Sequence, residues 1–192
     1  MGCLEGDLAP GHDQAHHGGN GSEEDTMVAP RLIEIRQPRH NDVIGKAFVI
    51  AGFGTGFEAV VLWKVLDNAG HTLGSGNIHG AGSMGVIHDF GNVVTLGNTP
   101  ARGAHVTLQV FGDDPSGIHP PGPDLNLVRV TLFTALAGFK LYEVKSGDNL
   151  TKIAAQQGQN TTATDIFDAN RDTIVNPNLI FPGQIFRVPL LS

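Results

Sequence analysis

Cysteine is all but absent. The chain has one, Cys3, so no internal disulfide can form and packing must hold the fold. Charge is sparse as well, with Asp, Glu, Lys and Arg at 16% of residues, and it leans to one sign: 19 acidic against 12 basic side chains, a formal net charge of -7. A chain of that sign repels phosphate backbones and anionic bilayers, which argues against nucleic acid and membrane surfaces as partners. No apolar run has the length of a membrane span, so no membrane insertion is expected. The opening residues, Met1 to Gln14, have neither a basic start nor a continuous apolar stretch and do not read as a signal peptide. Cys3 lacks the apolar region that precedes a lipoprotein cysteine and reads as a free thiol in a tail. What is plentiful is glycine, 26 residues, with short apolar runs in between. That is the pattern of strands joined by turns.

Residues 1–29 are polar, glycine-rich and acidic, and are expected to be a disordered tail. His12, His16 and His17 lie there, but Gly18, Gly19 and Gly21 beside them work against a helix that would gather them around a metal. From Pro30 the pattern changes to β-favouring runs between turn residues: Arg31 to Ile35, Lys46 to Gly52, Phe57 to Asp67, His71 to Gly80, Val86 to Leu96, His105 to Gly112 and Leu125 to Phe133. About seven strands at this spacing fit a β-sandwich. Asn68-Ala69-Gly70 suits a hairpin turn. In the last run Val128, Val130 and Leu132 are expected in the core, with Leu127, Arg129, Thr131 and Phe133 on the opposite face. Trp63 shares a face with Val61 and Val65, and alternation alone leaves open which face is inside. Pro38, Phe57 to Val61, Asp67 to Gly70 and Val110 to Gly117 together resemble the bacterial immunoglobulin-like domain associated with spore germination. The resemblance implies a spacer or adhesive arm, with a protein as its partner, and no catalytic residues. This domain is placed at 30–135, followed by a linker at 136–140 with Gly138 as a hinge.

The remaining segment, 141–190, has its own physics. Tyr142 and Val144 alternate with polar neighbours in a short strand. Asp148 is expected to cap a first helix, with Leu150, Ile153, Ala154 and Gln157 at helical spacing and Gly158 just past its end. A second helix starts near Thr162, capped by Thr162 or Thr164, with Ala163, Ile166, Phe167 and Asn170 on one face. Pro177 and Pro182 exclude helix from the next loop, and Phe186 and Val188 belong to a last strand. Ile153, Ile166, Phe167, Phe186 and Val188 form the expected core. The order is βααβ. Tyr142-x-Val144-x-x-Gly147-Asp148-x-Leu150, Ile153-Ala154, Gly158, Asn170 and Asn176 to Gln184 resemble the LysM (lysin motif) family through the whole segment. The fold class expected for the chain is therefore mostly β with a small α+β domain: an immunoglobulin-like β-sandwich followed by a βααβ LysM module.

The resemblance implies binding of N-acetylglucosamine-containing glycan, either peptidoglycan or chitin, in a shallow groove between two loops. One loop holds Gly147, Asp148, Asn149 and Leu150. The other holds Asn176, Pro177, Asn178, Leu179 and Ile180. An N-acetyl group needs an amide donor, a carbonyl acceptor and an apolar floor. Free backbone groups at a helix start and in a Pro-containing loop supply the first two, and Leu150, Pro177, Leu179 and Ile180 the third. Leu150 and Ile180 also suit the core, and Asp148 suits a cap as well as a ligand contact. Asn149 stands where family members usually carry Thr or Ser. It keeps both hydrogen-bonding functions at larger size, which bears on ligand preference. The resemblance places the chain at the cell envelope or outside the cell; the lack of a recognisable signal peptide leaves the cytoplasm open.

Other signals lead nowhere. Gly52 to Phe57 lacks the spacing of a phosphate loop and runs into a strand. Ala81 to Gly85 resembles a nucleophile elbow without the following helix or partners. Asp113-Asp114 sits in a turn where carboxylates face water. His40, His71, His79, His88, His105 and His119 have no metal-ligand spacing. No cofactor, catalytic set or metal site is expected. Two functions remain: a non-catalytic wall-binding protein, or an intracellular or particle-associated module that uses the LysM fold as a scaffold for protein contact.

Overall fold

Eight strands form the first domain of a computed structural model that describes residues 32–113, 124–157 and 160–192. They are β1 (Ile33–Gln37), β2 (Val43–Ile44), β3 (Ala47–Gly54), β4 (Val60–Leu66), β5 (Thr72–His79), β6 (His88–Thr95), β7 (Ala104–Gly112) and β8 (Asn126–Leu132). The expected tail, its histidines, His119 and Gly158 lie outside the described residues. One sheet is ordered β1-β3-β6 and the other β2-β8-β7-β4-β5. The two enclose a core that includes Ile50, Val61, Trp63, Val65, Leu108 and Val130. The strand missing from the sequence reading is β2. Two residues are too short for alternation to register, and it runs parallel to β8.

Trp63 faces inward with Val61 and Val65. Its cross-strand partner is Gly76, and Gly74 pairs with Val65. A Cβ at Gly76 would sit 3.0 Å from the indole Nε1, and one at Gly74 3.3 Å from its Cη2. The two glycines of β5 are what make room for a ring this large.

Val128, Val130 and Leu132 enter the sandwich core as expected. The opposite face of β8 is not free, however: Thr131 and Phe133 are buried as well. Phe133 packs with Val43, Ala169 and Leu191, and Thr131 Oγ1 donates to Asp168 O at 3.4 Å. The cover is the C-terminal segment, so the described residues of both domains make one compact unit.

The second domain is β9 (Leu136–Glu143), α1 (Leu150–Ala155), α2 (Ala163–Asp168) and β10 (Ile185–Leu191). Among the described residues no helix is long and apolar enough to cross a membrane. The expected linker at 136–140 is strand. β9 and β10 pair antiparallel from Ile185 with Glu143 to Leu191 with Leu136, and Gly138 lies opposite Leu190. Residues 190 and 191 supply the partner that turns a hinge into a ladder. Pro189 is tolerated because a two-stranded sheet has a free edge for a residue without an N–H. Its carbonyl accepts from Thr161 Oγ1 at 2.6 Å. Val144, Leu150, Ile153, Ala154, Ile166, Ile174, Phe186 and Val188 make the core. Phe167 is only partly buried against it.

Candidate functional site

Each helix is a turn and a half, so the caps carry much of its definition. Asp148 is not the cap of α1. Its carboxylate is turned back and accepts from Lys145 N at 2.8 Å and from the Tyr142 hydroxyl at 2.9 Å. Those bonds hold Asp148 below the usual carboxylate range, with the Lys145 amide the larger cause. The Tyr142 phenol is raised, chiefly by the same carboxylate. Gly147, at φ +83, turns the chain there. The cap falls one residue later, on Asn149, whose Oδ1 accepts from Lys152 N at 2.9 Å. That leaves the Asn149 amide NH2 for another partner. Lys152 reaches back, its Nζ donating to Gly147 O at 2.7 Å.

Thr162 caps α2, and Asp165 completes a reciprocal capping box with it. The turn at Asn176 is closed by its own side chain, whose Oδ1 accepts from Asn178 N at 3.0 Å. Gln184 pins the loop end, its Oε1 accepting from Phe181 N at 2.7 Å.

Between these loops lies a cleft of about 500 Å³. Asn149, Leu150 and Lys152 line one side, Thr164 and Phe167 the other, and Pro177 and Asn178 the end. Thr151 and Ala163 complete it, so its lining comes wholly from the C-terminal domain. Four of the expected residues meet here: Asn149, Leu150, Pro177 and Asn178. Leu150 is both floor and core, at 3% exposure. The other five do not line the cleft. Gly147 and Asp148 shape the first loop and Asn176 the second. Leu179 is 56% exposed outside the cleft, and Ile180 packs on the core.

Sequence reasoning missed the wall formed by α2. Ala163 and Thr164 each stand one turn before Phe167, and that spacing is visible in the sequence. The sequence pattern places Phe167 in the core. Its ring packs partly on the core and also lines the cleft, with the Arg171 guanidinium 4.8 Å above it. Asp168 Oδ1 fixes Arg171 at 2.6 Å.

A larger cleft of about 630 Å³ opens in the sandwich beside Leu32, Phe57 and Met84. It borders Asp113 and Asp124, on either side of residues outside the described set, and none of the expected site residues lines it. Among the described residues no group of three or more His, Cys, Asp or Glu is arranged to hold a metal ion.

Comparison with known proteins agrees with this architecture. Residues 32–118 match the immunoglobulin-like domain of bacterial spore germination. Residues 142–189 match the LysM domain. The chain is also similar to the Potassium binding protein Kbp of Escherichia coli O6:H1, at 37% identity over 62 residues, which is 32% of this chain and 42% of that protein. It thus spans less than half the length of that relative. The chain joins an immunoglobulin-like domain to a C-terminal LysM domain.

Proposed function

We propose that this protein is a non-catalytic carbohydrate-binding protein whose LysM domain holds N-acetylglucosamine-containing glycan, peptidoglycan or chitin, in the cleft between α1, α2 and the Asn176 loop. The observation that carries this reading is the cleft itself, where polar and apolar groups converge as an N-acetyl sugar requires. Leu150, Pro177 and Phe167 offer apolar surface to the acetyl methyl and the sugar face. The Asn149 and Asn178 amides and the Thr164 hydroxyl supply donors and acceptors. A cleft this shallow binds one site weakly, and firm attachment to a wall comes from repetition along the polymer or from a second contact.

A second reading, protein contact through the LysM fold, draws on another surface. Phe139, Leu141 and Ile185 are exposed on one face of the β9–β10 sheet. Apolar patches of this kind mark protein-contact surfaces.

Retention of the full chain on purified peptidoglycan and on chitin separates the two. Thr164 is exposed, so Thr164→Trp fills the cleft without disturbing the core. Retention of the wild type and its loss in Thr164→Trp, at unchanged melting temperature, is the expected result. No retention on either polymer rejects the glycan reading.

A further inference from the structure

The α2 wall of the cleft is not held by its own domain alone. Arg102, in the turn before β7, reaches it from the immunoglobulin-like domain. Its Nε donates to Asp165 Oδ1 at 2.7 Å. Its Nη2 donates to Asp165 Oδ2 and to Asn160 O. Asp165 is the acidic member of the α2 capping box, where Oδ2 also accepts from Thr162 N and Thr162 Oγ1, each at 2.6 Å. Its side chain is 5% exposed. Burial alone would raise this carboxyl, but the bonds from Arg102 and Thr162 outweigh it and hold the group below its usual range. A buried carboxylate stripped of its counter-charge is strongly destabilising, and here the carboxylate is also the first-turn anchor of the helix.

The far end of α2 is gripped by the same domain. Gly103, at φ +74, lies so close to Asp168 that a Cβ there would fall 2.6 Å from its Oδ2. Asp168 O accepts from Thr131 Oγ1, and the Asp168 carboxylate orients the Arg171 that covers Phe167. An unbroken path of contacts therefore joins the sandwich to Ala163, Thr164 and Phe167, the residues α2 presents to the cleft.

We propose that the immunoglobulin-like domain is a working part of the glycan site, with Arg102 as a positioning residue that fixes the α2 wall through Asp165. This rests on the glycan reading above. The domain is then a clamp on the cleft, in place of a freely swinging arm. Arg102 touches no sugar; its bidentate fork on a fully used carboxylate sets where Thr164 and Phe167 stand.

The test uses the full chain and a soluble N-acetylglucosamine oligomer. Arg102→Ala is expected to weaken binding by roughly three- to thirtyfold, with amide signals of Thr164 and Phe167 shifted and those of the sandwich core unchanged. Arg102→Lys keeps the charge but loses the fork, and should fall between. It also stands in for the alanine variant should that one fail to fold. Unchanged affinity in either folded variant, with only the melting temperature lowered, overturns the proposal and leaves Arg102 a structural residue. Failure of the wild type to bind overturns the glycan reading instead. Hydrogen exchange across 163–168 then decides the clamp separately: faster exchange in Arg102→Lys supports it, and unchanged exchange rejects it.

Discussion

Asn170 and Arg187 are joined by a two-way hydrogen bond: Arg187 N donates to Asn170 Oδ1 at 2.8 Å, and Asn170 Nδ2 donates to Arg187 O at 2.7 Å. The amide imitates a strand partner. Its second N–H goes to Ile166 O at 2.7 Å, so a fully buried side chain has three of its four capacities used. It ties α2 to β10 directly.

Asn170→Ala should therefore cost about 2–4 kcal/mol, because buried backbone groups on two elements lose their partner at once. Thermal unfolding of the full chain checks this. Asn170→Asp should be worse, since a carboxylate would face the carbonyls of Ile166 and Arg187. A loss below about 0.5 kcal/mol, the usual size for a surface substitution, would show that water or relaxation replaces the amide.

His105 gives the domain interface a pH dependence. It lies on β7 in a cleft between the domains with Arg129, Arg171, Asp67 and Asp172, and its buried Nε2 has no hydrogen-bond partner among the described residues. Desolvation first and the Arg171 guanidinium second push its pKa below the ordinary value, against the pull of Asp168 and Asp172. The unfolded chain then takes up the proton before the folded one. Stability is fully present above about pH 6.5, the unfolded value, and declines as pH falls through the depressed folded value. His105→Gln should flatten that decline in melting curves recorded between roughly pH 7 and 5. A wild-type curve already flat over the same window would contradict the assignment.

Local signals wrote much of this fold. Alternation marked seven of the eight sandwich strands, and Gly147, the helical spacing from Leu150 and the Pro-rich loop marked the second domain. The sequence left Trp63 facing either way, because alternation is symmetric. The Gly74 and Gly76 pair in the adjacent strand breaks that symmetry. Asp148 and Asn149 are both good caps, and the bonds from Lys145 N and the Tyr142 hydroxyl draw Asp148 away from that role. Long-range relations were not legible. Nothing local to Thr131 or Phe133 says that another domain covers them, and Arg102 and Asp165 are 63 positions apart. One wall of the site falls in that category: two loops are visible in the sequence, while the wall between them depends on how α2 is held.

The most direct measurement is a residue-by-residue map of amide chemical shifts in the full chain as an N-acetylglucosamine oligomer is added. The account predicts movement centred on Asn149, Lys152, Thr164, Phe167 and Asn178, with Leu32, Phe57 and Met84 at the sandwich cleft unmoved. No movement at saturating sugar, or movement confined to the sandwich cleft, would contradict it.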